Sequence, residues 1–157
     1  DRQIKKILVI VSVLVLVITL ASCSTDTYNM SSKSTNFLLK NVVSVTLSGP
    51  GTEIGGDNTE VVLDSQSGQQ FNDFVSLVKG KKLDELPEPH QFGMALITYT
   101  TKYDEEIKAY PANDGSNYIQ LYSLNELTCK YLELDGKDMK TIVDVFERNG
   151  IIVNYAF

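Results

Sequence analysis

The chain has 157 residues, room for one domain and a leader, and a formal net charge of −6. Its first 22 residues carry +2 (Arg2, Lys5 and Lys6 against Asp1), so the remainder carries −8. A domain that acidic offers no favourable field to phosphate backbones, which argues against nucleic acid, and its overall charge would not draw it to anionic lipid.

Residues 1–22 read as an export signal. A basic start (Arg2, Lys5, Lys6) precedes an apolar run from Ile7 to Leu20, broken only by Ser12 and Thr19. As a helix that run would span about 21 Å, short of a hydrocarbon core of about 30 Å, so it suits a signal sequence better than a membrane span. Polar residues follow at once.

The end of this block, Leu20-Ala21-Ser22-Cys23, resembles the lipobox of bacterial lipoprotein precursors: an aliphatic residue, two small residues, then cysteine. The resemblance implies a diacylglyceryl thioether on the Cys23 sulfur and cleavage between Ser22 and Cys23. The small side chains of Ala21 and Ser22 would let an extended backbone enter the peptidase. Two acyl chains give stable attachment where one is marginal. The domain is therefore expected at the cell membrane on its extracytoplasmic face. The alternative, an uncleaved anchor helix, puts it on the same side, because the basic residues stay inside. With Cys23 lipidated, Cys129 has no partner for a disulfide within the chain.

Residues 23–40 are expected to be the lipidated cysteine and a flexible tether. Nine of the thirteen residues 24–36 are Ser, Thr or Asn, a linker composition with a reach of roughly 20 Å. The alternative is a first strand packed on the domain. Residues 41–157 are expected to form a single α+β domain.

Within it, Val43, Val45 and Leu47 alternate with polar residues as a half-buried strand. Glycine-rich turns at 49–51 and 55–58 lead to a second strand, Thr59 to Leu63. A helix is expected over 67–79. Phe71, Phe74, Val75 and Val78 share one face, Ser67 and Gln70 make a capping box, and Gly80 stops it beside Lys79, Lys81 and Lys82. The two prolines of residues 83–92 mark a surface loop. Strands are then expected over 93–102, 106–110, 117–122 and 127–134. A second helix capped by Asp135 follows, burying Met139, Ile142, Val143 and Phe146 and ending at Asn149-Gly150. Residues 151–153 could add a short last strand. The order β-β-α-β-β-β-β-α predicts an antiparallel sheet of four to six strands with two helices on one face. This layout, with the leader, resembles small uncharacterised lipoproteins of Gram-positive bacteria over residues 41–148. It is a likeness of element pattern that brings no functional residues.

Chemical motifs are sparse. His90, the only histidine, sits in the proline loop, and no Gly-x-Ser-x-Gly elbow or Gly-x-x-x-x-Gly-Lys-Ser/Thr loop is present. A His-rich zinc site is excluded, no metal or catalytic residue is assigned, and the expected covalent group is the lipid on Cys23. Carboxylates gather at Asp84, Glu85 and Glu88, at 104–106, and at Asp135 and Asp138. They read as solvated charge, with a glycosidase pair or loose calcium binding at 104–106 as alternatives. Cys129, mid-strand, reads as an inert thiol.

Six of the eight tyrosines lie between 99 and 131. They read either as cross-strand pairs that stabilise a meander or as an exposed aromatic face. On the second reading Tyr99, Tyr110, Tyr118 and Tyr122 form the binding face. The resulting expectation is a membrane-anchored, non-enzymatic module contacting an envelope protein, peptide or glycan. The alternatives are a carboxylate-based glycan-active enzyme and a structural or sensory envelope lipoprotein.

Overall fold

The computed structural model describes residues 27–32, 35, 37–52, 57–123 and 126–154. The apolar leader, Ser22, Cys23 and the side chain of Cys129 lie outside the described residues. Among the described residues eight strands form one antiparallel sheet: β1 (Thr27–Asn29), β2 (Val42–Pro50), β3 (Asn58–Val62), β4 (Lys79–Leu83), β5 (Leu96–Thr101), β6 (Glu106–Pro111), β7 (Tyr118–Ser123) and β8 (Glu126–Leu134). Helix α1 (Ser65–Leu77) lies between β3 and β4, and α2 (Gly136–Arg148) follows β8. Across the sheet the order is β1-β4-β8-β7-β6-β5-β2-β3. The β5–β8 meander fills the middle, and α1 carries the chain from the β3 edge to the opposite side.

The expected sheet of four to six strands is thus corrected to eight, in the order β-β-β-α-β-β-β-β-β-α. One added strand, β4 (Lys-Gly-Lys-Lys-Leu), has the composition of a helix end. After Val78 the chain instead extends and pairs with β8, Gly80 opposite Leu134 and Leu83 opposite Tyr131. Gly80 is needed for close approach: a Cβ there would stand 2.8 Å from the Glu133 carbonyl oxygen and 2.9 Å from Leu134 Cδ2. The other, β1, comes from the Ser/Thr/Asn-rich stretch and pairs with β4. Immediately beyond it, Met30, Phe37 and Leu39 are buried in the core, so the described residues of this stretch are packed on the domain.

Period-2 alternation builds the two sheet faces. Val45 and Leu47, Ile97 and Tyr99, Ile107 and Ala109, Ile119 and Leu121, and Leu132 and Leu134 point inward. They share one core with Phe71, Val75 and Val78 and with Met139, Ile142, Val143 and Phe146. Val43, expected inward, is 67% exposed because the β2–β5 register shifts between Val42 and Ser44. Helix α1 starts at Asp64 rather than at the expected capping box. The Asp64 carboxylate accepts from the Ser67 N–H at 2.8 Å and the Ser67 hydroxyl at 2.9 Å. Asp135 caps α2 through the Lys137 N–H (2.7 Å), and Asn149 with Gly150 at φ 77° ends it. Ile151 forms a single bridge with Gly51, so residues 151–153 add no strand, although Ile151 and Val153 are buried.

Candidate functional site

The sheet face turned away from the helices carries the tyrosines. On β6 and β7, Tyr110, Tyr118 and Tyr122 alternate with inward Ile107, Ala109, Ile119 and Leu121, and each is half-buried. Register sets their neighbours: Tyr110 opposes Gln120, Gln120 opposes Tyr131, and Tyr131 opposes Leu83, a row from β6 to β4. Gln120 Nε2 donates to the Tyr131 hydroxyl at 3.5 Å. Tyr122 opposes Lys108, which also pairs with Glu106 at 3.5 Å. Tyr99 does not belong here. It shares the inward side of β5 with Ile97, faces the core at 0% exposure and meets the Phe37 ring edge-on at 5.9 Å. Burial pushes its phenol far above the usual range, and its hydroxyl has no hydrogen-bond partner among the described residues.

The proline loop extends this face, a feature the sequence reading missed. Its Phe92 ring sits 5.7 Å from that of Tyr131, and its His90 ring lies 4.6 Å from that of Tyr118 at 43°. The loop is clasped by the β6–β7 turn. His90 Nδ1 and Asp114 Oδ2 are 2.9 Å apart, Asp114 accepts the Gln91 N–H at 3.2 Å, and Asn113 donates its N–H to the Gln91 carbonyl at 2.9 Å. Asp114 also accepts the Ser116 N–H at 3.1 Å, and Gly115 takes φ 80° to close the turn.

These contacts set the local electrostatics. Partial desolvation would raise the Asp114 carboxyl, but Ser116, His90 and the Gln91 N–H outweigh it and hold the group well below the usual carboxylate range. An ionised carboxylate only accepts, so Nδ1 of His90 carries the proton. Among the described residues Nε2 is buried without a partner and no hydroxyl reaches it, so these residues assemble no Ser-His-Asp relay at His90. Tyr118 is pushed up by partial desolvation and by the nearby charges of Glu133 and Glu88. This end of the face therefore combines aromatic surface with negative charge.

Other carboxylates serve local structure. Asp64 and Asp135 cap helices, and Asp138 lies in the first turn of α2. The 104–106 turn, with Asp104 at φ 58°, is held by Thr101 Oγ1, which accepts from the Tyr103 and Glu105 N–H groups. Among the described residues no group of three or more His, Cys, Asp or Glu could hold a metal ion, and no described helix is long and apolar enough to cross a membrane.

On the opposite side, α1, α2 and the end of β3 enclose a groove of about 660 Å³. Its lining includes the apolar Phe71, Phe74 and Val145 and the charged Asp64 and Arg148. Among the described residues its lining offers apolar area and the cation Arg148, with no His, Cys, Tyr or Lys. No protein-family model, curated protein or solved structure matches the chain.

Proposed function

We propose that this chain is a bacterial lipoprotein, anchored through a diacylglyceryl group on Cys23 at the extracytoplasmic face of the cell membrane. Its domain is a non-enzymatic binding module of the envelope, and its working surface is the open sheet face. The observation that carries the binding role is the cluster of half-buried aromatic rings on that face: Tyr110, Tyr118, Tyr122 and Tyr131, extended by His90 and Phe92. Tyrosine gives a binding surface large apolar area and a polar tip at small entropic cost. The loop clasp pre-orders part of that surface, which lowers the entropy lost on binding. The anchor rests on the leader and on Leu20-Ala21-Ser22-Cys23.

The face fits a peptide, glycan or protein partner of the envelope. Replacing Tyr118 and Tyr122 together with alanine removes two of its rings without opening the core, since both point away from it. The double variant should fold, keep its anchor, and lose retention on purified wall sacculi or its partner among detergent-solubilised envelope proteins. Unchanged binding to both would refute the assignment of this face.

A further inference from the structure

The geometry points to a fixed stance on the membrane: the β1–β4 edge of the sheet rests against anionic phospholipid headgroups through Lys79 and Lys81, with Leu77 at the lipid surface. This inference rests on the anchor at Cys23. Three residues, Ser24-Thr25-Asp26, separate that cysteine from β1. Fully extended, the four steps from Cys23 to Thr27 reach at most about 14 Å, less than the roughly 20 Å expected of a longer flexible tether. Strand β1 is not free to drift, because it pairs with β4 over three residues, Thr27 with Lys81, Tyr28 with Gly80 and Asn29 with Lys79. The next residue, Met30, is fully buried and donates its N–H to the Val78 carbonyl at 2.7 Å. The lipid therefore holds one particular edge of the domain near the bilayer.

That edge is locally basic within an acidic domain. Strand β4 places three lysines in five residues, with Lys79 and Lys81 exposed and Lys82 half-buried, its ammonium 5.9 Å from the centre of the Tyr28 ring. Glu133 faces Lys81 across the β4–β8 ladder, and Asp84 and Glu85 follow β4, so the positive charge is confined to the start of the strand. Leu77, at the end of α1 and two residues before Lys79, is 78% exposed. An exposed apolar residue beside lysines is suited to an anionic membrane surface, where each retained lysine adds attraction that salt weakens. Seven strand spacings put β3 roughly 33 Å from β1 along the sheet. The sheet then stands on edge: Lys79 and Lys81, on the same side as Leu83 and Tyr131 by alternation, turn the β4 end of the tyrosine face to the bilayer and leave the rings on β6 and β7 reachable from the side.

The chain contains no tryptophan, so single tryptophans report position cleanly. Leu77→Trp and Val62→Trp place reporters at exposed sites near opposite edges, Val62 being 63% exposed on β3. Each variant, purified with its lipid from membranes, is reconstituted in phosphatidylcholine vesicles with or without about 30 mol % phosphatidylglycerol, the acyl chains brominated to quench. Leu77→Trp should lose about half its emission in the anionic vesicles, and Val62→Trp about a tenth or less. About 0.5 M salt, or Lys79→Glu with Lys81→Glu, should restore the Leu77→Trp emission while the protein still floats with the vesicles. Equal quenching at the two positions, or quenching indifferent to phosphatidylglycerol and salt, would overturn the stance. Mass spectrometry of the same samples separates the two claims: an unmodified Cys23 overturns the anchor and the stance together. A lipidated Cys23 with equal quenching overturns the stance alone.

Discussion

Tyr99 is the residue whose placement can be tested with an unusual sign. Its ring is wholly buried, yet its hydroxyl has no hydrogen-bond partner among the described residues. Burying an unpartnered hydroxyl costs about 1–3 kcal/mol by protein mutational data, so Tyr99→Phe removes a cost that the folded state bears. Against this stands the loss of one oxygen's packing contacts, about 0.5 kcal/mol from a few dispersion pairs at 0.1–0.2 kcal/mol each. The net expectation is a gain of about 1 kcal/mol, or a melting temperature higher by roughly 3–5 °C for a domain of this size. Urea unfolding followed by far-UV circular dichroism should show a higher midpoint with an unchanged slope, because the surface exposed on unfolding is nearly the same. Most substitutions of core residues destabilise, so the sign carries the information. A Tyr99→Phe protein less stable by about 0.5 kcal/mol or more would mean that the hydroxyl has a partner in the folded protein and would refute the reasoning.

Gly80→Ala should destabilise the domain by about 1–3 kcal/mol, as overpacking against a backbone carbonyl does, whereas the expectation of a simple helix stop followed by a loop predicts little change; equilibrium unfolding distinguishes them. Asp114 has a folded-state carboxyl lower than its unfolded value, so its contribution is present above the unfolded pKa and is lost as pH falls through the folded one. The clasp on the proline loop should therefore hold at neutral pH and release only in strong acid. Hydrogen exchange at Gln91 and Ser116 measures this, and Asp114→Asn should give fast exchange at both amides already at pH 7. Asp135→Ala should lower stability by about 1 kcal/mol through loss of the α2 cap, read from the thermal midpoint.

The elements with strong period were legible in the sequence. The buried face of α2 emerged residue for residue, because Met139, Ile142, Val143 and Phe146 repeat at helical spacing between a capping aspartate and a glycine. The β5–β8 meander followed from alternation between clear turns. Strand β4 was hidden because lysine and glycine have low strand propensity and its partner lies some fifty residues away in β8. Strand β1 was hidden in a Ser/Thr/Asn-rich stretch whose apolar residues, Met30 and Phe37, show no period although both are buried. At the site, the alternation of Tyr110, Tyr118 and Tyr122 with apolar residues was legible, but which sheet face is exposed was not. Alternation could also have placed Tyr99, since Ile97 two residues earlier takes the core side. The His90–Asp114 clasp joins residues 24 apart through a loop with no period, a contact that only the tertiary fold supplies.

The claim on which the account turns is that the open tyrosine face is where the anchored domain meets its partner. A photo-crosslinking benzoylphenylalanine placed at Tyr122 in growing cells tests it, with the same group at exposed Val62 on β3 as the control. The account predicts a discrete crosslinked species in the membrane fraction from position 122, lost when Tyr118 is also replaced by alanine, and none from position 62. Crosslinks of equal yield at both positions, or from position 62 alone, would contradict it.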